Sequence, residues 1–536
     1  MLSKTENEAA VSALLPALDS PHQWIQEEVL RALMERRSPT GQREVLRRLH
    51  QVSDRWKEIV GRYQGRMSTA LRDAVLGTDR QMCINGCQAI LWFNEYDLMP
   101  VLISIAENKG AAEDQSHPHS DRVAVTLLDL AQQLHTEATG PRDYRIRRDP
   151  QLVRRHVLGS LELSIGRFMQ HKRKEIVEAF LVLADRGNAV LKQILRDPHH
   201  ACYLTLVEAL AHSSRSGVMR LMLSFLDDPQ APSAALSAIA HRSDAKFLRL
   251  LLYKVGYSPS VPVAQNLKRV STIPWFRGDL AVLDDLDERA QQGAVSMAMA
   301  SGIKRQEVYH VVRHLLQKGN LGGRRAAAGA LADFSGAEAN ALALATLDDP
   351  DPQVQAQVLG QLRQRGIPGA VSRLLEKVSS PHTVVREAVR KALSEFSFEK
   401  YLASFDMLDE ASRQTTGALV RKIDPQLVPG LVREMQTPSR VRRMRALAVA
   451  RATRTVRELE GQILELLADD DHMVRAEAAK SLALSDSATA RPALTEALGD
   501  RSISVQEAAR ASLDQLEEAK TRQGVTEVWS RKEPTP

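Results

Sequence analysis

The sequence predicts an all-α fold, an α-α superhelix of stacked helical hairpins. Three observations predict it. The phrase "DDDHMVRAEAAKSL" (469–482) returns as "GDRSISVQEAARASL" (499–513), so that Val474, Ala478 and Leu482 recur 31 residues later as Val505, Ala509 and Leu513. These apolar positions fall at i, i+4 and i+8, which places them on one stripe of an α-helix. Aromatic residues make up 4% of the 536, and the apolar share is mostly Ala, Leu and Val. Such small, helix-favouring side chains suit close helix stacking better than a sheet or a roomy pocket.

The same phrase runs through the chain. "LDSPHQWIQEEVLRAL" (18–33) sets a turn before Ile25, Val29 and Leu33. "LRDP" (195–198) and "LDDP" (226–229) are again 31 apart, and so are "DDPDPQVQAQVLGQL" (348–362) and "SSPHTVVREAVRKAL" (379–393). The last two carry the triads Val354, Val358, Leu362 and Val385, Val389, Leu393. Four residues ahead of each turn stands a further apolar residue: Leu14, Leu191, Met222, Ala343, Leu374, Ile463 and Leu494. One unit is therefore helix, short Asp/Pro/Ser turn, helix, with proline where the first helix cannot continue. Ser504 three residues before Glu507 reads as a capping box that starts the last helix near residue 504. Arg386, Arg442 and Arg475 follow the first apolar residue of their helices. Because they recur with the unit, they read as a ladder to turn carboxylates such as Asp349 or Asp470 in the same or the next unit.

A lone hairpin cannot bury its apolar face, whereas stacked hairpins share one continuous core. The Trp/Gly/Tyr signature of tetratricopeptide repeats and the Thr-Pro-Leu-His signature of ankyrin repeats are missing. The D-x-x-V-R/Q-x-x-A-x-x-x-L phrase resembles the HEAT repeat, in the short form of bacterial phycobilisome-lyase-like HEAT proteins. The resemblance covers 340–395 and 460–516 best, then 10–35 and 185–240. It implies a HEAT-like solenoid and leaves function open. Deoxyhypusine hydroxylases share the fold and hold di-iron through His-Glu pairs, but this chain contains no His-Glu dipeptide. No residue marks the chromophore chemistry of the phycobilin lyases. HEAT-like DNA glycosylases offer only the analogy of a basic concave face.

The repeat predicts N-terminal HEAT-like units over 1–106, an irregular region over 107–150, further units with a basic start over 151–255, an irregular insertion over 256–279, C-terminal units over 280–517 and a polar tail over 518–536. No run of about 18 apolar residues predicts a membrane span. Three cysteines, Cys83, Cys87 and Cys202, are too few for a disulfide framework. With no leader-like start, these features predict a cytoplasmic protein.

No cofactor or metal site is expected. His310 and His314 have helical zinc spacing, but Val rather than Glu follows the first, and they read as partly exposed histidines. "HPH" (117–119) and His199-His200 lie in a loop and a turn, without the four grouped ligands of structural zinc. Cys83 and Cys87 share a helix face and read as buried thiols. The segment with a claim to function is "RDYRIRRDPQLVRRHVLGSLELSIGRFMQHKRK" (142–174), with ten Lys/Arg against three acids, net +7 in a chain of net +6. Leu152, Val153, Val157, Leu161 and Ile165 form an apolar stripe between its basic ends. Arg142, Arg145, Arg147, Arg148, Arg154, Arg155, Lys172, Arg173 and Lys174 are the candidate partner-binding residues, and Arg167 shares their charge. The reading is a non-enzymatic scaffold or adaptor that binds a protein on its concave surface. One alternative is a nucleic-acid-binding solenoid using 142–174 against phosphates. The other, an enzyme or enzyme accessory of lyase or hydroxylase type, is disfavoured for want of the His-Glu pairs.

Overall fold

In the computed structural model the backbone is described over residues 9–51, 54–63, 65–108, 117–141, 149–485 and 487–530, and side chains as far as Glu518. No strand occurs among the described residues. The chain divides into two units, Met1–Ala327 and Ala328–Pro536.

In the second unit, helix pairs follow one another as the repeat predicts: Ala337–Ala345 with Pro352–Leu359, Ala370–Lys377 with Thr383–Ala392, Phe398–Ser404 with Glu410–Ile423, Leu427–Met435 with Arg440–Ala452, Glu460–Leu466 with His472–Leu482, and Ala490–Ala497 with Ile503–Ser530. Second helices pack on the second helices of neighbouring repeats. The predicted stripes are what they bury. Val354, Val358, Leu362, Val385, Val389, Leu393, Val474, Ala478, Leu482, Val505 and Ala509 are all fully buried, and Leu513 packs half-buried against the same core. The first-helix positions Leu14, Leu191, Met222, Ala343, Leu374, Ile463 and Leu494 are buried in both units. This is a solenoid of helical hairpins whose core is handed from repeat to repeat.

Six second helices are closed at their starts by the same device. The residue four beyond the N-cap donates its side chain back to the carbonyl two before the cap. Gln26 reaches Ser20 O at 2.7 Å, Gln355 Asp349 O at 2.7 Å, Arg386 Ser380 O at 2.7 Å, Arg443 Thr437 O at 2.8 Å, Arg475 Asp469 O at 2.8 Å, and Gln506 Asp500 O at 2.7 Å. Glutamine and arginine alternate because either supplies the N–H that the turn carbonyl lacks. Arginine has donors left over. Arg443 uses them on the Asp469 carboxylate at 2.8 Å, and Arg475 on Asp500 at 2.8 Å, each in the following repeat.

The expected ladder is thus present with different members. Arg475 belongs to it. Arg386 meets carbonyls and the Thr383 hydroxyl, with no carboxylate within 4.0 Å among the described residues, and Arg442 pairs with Glu434 while its neighbour Arg443 takes the ladder place. Ser504 lies inside the first turn rather than at its cap: the helix begins at Ile503, and Ser502 O accepts from Gln506 N.

The structure departs from the sequence reading in three places. The region 107–150 contains the 20-residue helix Ser120–Thr139, whose Val123, Leu127, Leu130, Ala131 and Leu134 form an unbroken buried stripe. The polar loop ahead of it is described only at its ends, since residues 109–116 lie outside the described residues. The insertion 256–279 holds the helix Val261–Lys268 and a short 3-10 turn, Pro274–Phe276, and it buries Trp275 and Phe276 with ring centroids 4.1 Å apart. It is core, not an excursion. In the second unit, the last helix runs on to Ser530, through much of the segment read as a polar tail.

Candidate interaction surfaces

The basic segment starts at the helix Pro150–Gly166, capped by Asp149, whose carboxylate accepts from Gln151 N at 3.0 Å. Val157, Leu161 and Ile165 anchor this helix, and Val153 is half-buried. Leu152 departs from the expected stripe and is 59% exposed. Arg142, Arg145, Arg147 and Arg148 lie outside the described residues.

The remaining cations divide sharply. Arg154 turns inward and donates to Leu183 O at 2.7 Å and Ala184 O at 3.3 Å, capping the C-terminus of the helix Lys174–Leu183. Burial pulls its pKa down, and with Arg220 it helps hold buried His135 deprotonated; the imidazole is pushed down to about 4, first of all by its own burial. Arg173 is 5% exposed; it donates to Ala106 O at 3.0 Å and Ser120 Oγ at 2.7 Å and pairs with Asp121. Arg167 pairs with Glu107 at 2.7 Å. These three arginines fasten the helix to its neighbours. Arg155, Lys172 and Lys174 are exposed and have no carboxylate within 4.0 Å among the described residues. The free cations flank Leu152, Leu163 and Met169, which are 59%, 68% and 63% exposed.

The charge of the chain is less local than its sum suggests. Residues 433–457 hold eight Arg against one Glu, and residues 31–80 hold twelve Lys/Arg against six acids. A running count along the sequence shows both. The first is neutralised from within: Arg440 pairs with Asp471 at 3.4 Å, Arg442 with Glu434 at 2.5 Å, Arg443 with Asp469 at 2.8 Å, Arg451 with Glu477 at 2.7 Å, and Arg445 with Asp406.

A second surface lies on the second helices. Between Pro352–Leu359 and Thr383–Ala392 runs a groove of about 840 Å³, floored by Ala356, Val384, Ala388 and Ala392 and edged by Glu387 and Lys391. Val384 stands two residues beyond its N-cap, as do Val441, Met473 and, in the first unit, Trp24. All four are exposed, at 36%, 58%, 40% and 69%. In the helices of Val384 and Met473 the next residue, Val385 or Val474, is fully buried, which leaves the second position facing outward.

The histidines and thiols do other work. His314 Nε2 lies 2.7 Å from Asp284 Oδ1, and His310 Nε2 donates to Gly278 O at 3.1 Å. His117 and His119 donate to Leu76 O and Thr78 O, at 3.2 and 3.1 Å, docking their turn on the preceding repeat. Cys83, Cys87 and Cys202 are buried. Among the described residues no three His, Cys, Asp or Glu side chains gather as a metal site, and no helix is long and apolar enough to cross a membrane.

Residues 339–423 and 460–534 match the family model of HEAT repeats. Comparison with the curated proteins returns no match. Among solved structures the chain is similar to Kap121p bound to Nup53p, at 13% identity and TM-score 0.27, over 96% of this chain and 54% of that one. It is similar to Kap95p, solved with RanGDP, at 12% identity and TM-score 0.27, over 96% and 77%. The chain spans about half the length of the Kap121p structures it matches, 52% for that of Kap121p alone.

Proposed function

We propose that this chain, a HEAT-repeat protein, is a non-enzymatic scaffold that holds a protein partner on the surface of its second helices. The observation that carries the reading is the groove between Pro352–Leu359 and Thr383–Ala392, with its alanine and valine floor and charged rim. An apolar floor edged by Glu387, Lys391 and Arg363 suits an extended or helical segment with an apolar stripe. The exposed Val441 and Met473 repeat the apolar position on later second helices, Arg440–Ala452 and His472–Leu482. In the first unit, taken by itself, Arg155, Lys172 and Lys174 beside exposed Leu152, Leu163 and Met169 suit an acidic segment with apolar side chains.

The reading is tested by placing a photo-crosslinking side chain at position 384 and, as control, at Met407, which is 91% exposed outside the groove. Adducts with a discrete protein from position 384 and none from position 407 are the expected result. Equal labelling from both positions overturns it.

A further inference from the structure

We propose that the first unit carries a separate binding site for a compact polyanion of the oligophosphate class. The site is an open cavity of about 450 Å³ lined by Arg37, Arg43, Arg47 and Arg66, with Gln42, Thr69 and Thr78 also on its walls. Its volume lies within the roughly 300–1,000 Å³ of small-molecule sites.

Four elements build it. Arg37 closes the helix Gln23–Arg36 in the left-handed region, at φ 55°. Glycine closes such a turn with less strain, so the backbone gives up stability to keep a cation there. Arg43 and Arg47 lie on the next helix, Pro39–Arg48. Arg66 comes from the following turn, its guanidinium over the Tyr63 ring at 5.1 Å, and Gln42 Nε2 ties that turn to the arginine helix through Arg66 O at 3.0 Å. Thr78 precedes Asp79, the cap of Arg80–Phe93.

Among the described residues, three of the four arginines around this one cavity lack a carboxylate partner. Arg47 is neutralised by Glu44 at 2.8 Å. Arg37, Arg43 and Arg66 have no carboxylate within 4.0 Å among the described residues. Two acids line the cavity: Asp79 accepts from Met82 N at 2.9 Å, and Asp73 makes no ion pair. The balance of side-chain charge remains positive. Five arginines of the helix Arg440–Ala452 each have an acid within reach. Three arginines left unpaired around one concavity are instead a preformed counter-charge. Guanidinium forks match phosphate oxygens two at a time, which lysines would not do.

Titration calorimetry of the full chain with tripolyphosphate, at fixed ionic strength, tests the proposal. One site per chain is expected, weakened at least tenfold by Arg43→Gln and by Arg66→Gln and unchanged by Arg155→Gln. Thermal unfolding of the unmodified protein gives a readout independent of any variant: tripolyphosphate raises the midpoint, and sulfate at matched ionic strength does not. Absence of binding overturns the proposal. So does binding lost equally with Arg155→Gln, which marks a diffuse charge effect, and so does sulfate stabilising as much as tripolyphosphate.

Discussion

Arg475 grips the Asp500 carboxylate of the following repeat with two donors, Nε at 2.8 Å and Nη2 at 3.0 Å, while its Nη1 holds Asp469 O at 2.8 Å. One side chain thus closes its own turn and fastens the next. Asp500 is held below the usual carboxylate range, first by this hydrogen bond. Arg475→Ala strips donors from a carboxylate and a turn carbonyl at once, and is expected to destabilise the C-terminal repeats by about 1–3 kcal/mol. Arg475→Gln restores the carbonyl bond, as Gln355 and Gln506 show in their own turns, and should recover part of the loss. Arg442→Ala breaks only an exposed pair and should leave the unfolding midpoint near that of the parent. Urea unfolding of the three variants checks the order.

Leu393 and Leu482 close the predicted triads and are fully buried. Leu393→Asp or Leu482→Asp places an unpaired carboxylate between helices, at a cost of several kcal/mol. Each repeat packs mainly on its neighbours, so hydrogen exchange should quicken around the substituted repeat before it does so elsewhere. Uniform exchange across the chain contradicts this.

What the sequence made legible follows the apolar period. Burial of Leu14, Leu191, Met222, Ala343, Leu374, Ile463 and Leu494 needs only that stripes face one another. The basic segment was less legible, because charge counts carry no direction. Lys172 takes the left-handed conformation at φ 51°, and beyond that reversal Arg173 turns inward while Lys172 and Lys174 face outward. A lysine at positive φ has no signature in the sequence. The partners of buried Arg173 and exposed Arg167 are equally hidden: Arg173 meets Asp121 and Arg167 meets Glu107, 52 and 60 residues away along the chain. The second-helix groove was not legible, since its floor is set by residues of two repeats.

His135 makes the first unit sensitive to acid. Its folded pKa lies at about 4 against 6.5 for the free imidazole, chiefly through burial, with Arg154 and Arg220 adding to the shift. Between those values the unfolded chain takes up a proton that the folded chain refuses. Stability therefore rises with pH through this window and falls as pH drops from 6.5 towards 4. His135→Phe removes the proton site from both states. Its stability should change less over the same window than that of the parent, as followed by thermal melts at stepped pH.

The basic segment allows a test in which fold and binding part company. Arg154→Glu puts a carboxylate against Leu183 O and Ala184 O, the two carbonyls that Arg154 now satisfies, and should cost the fold. Arg173→Glu should do the same, since it faces Ala106 O and Asp121 from a buried position. Arg155, Lys172 and Lys174 have no such duty, so the triple change Arg155→Glu, Lys172→Glu, Lys174→Glu should keep both the helical circular dichroism and the melting midpoint. If this face meets an acidic protein segment, the triple variant loses that partner, and binding to the parent weakens only mildly with salt, over a Debye length of about 8 Å at physiological ionic strength. A duplex nucleic acid gives a different signature, a log–log salt slope of about −0.9 per phosphate neutralised. Three free cations beside three exposed apolar side chains favour the first outcome, because phosphates offer Leu152, Leu163 and Met169 nothing to pack against. A triple variant that keeps its fold and every partner removes this face from the binding surface, and leaves the second-helix groove to account for the partner alone.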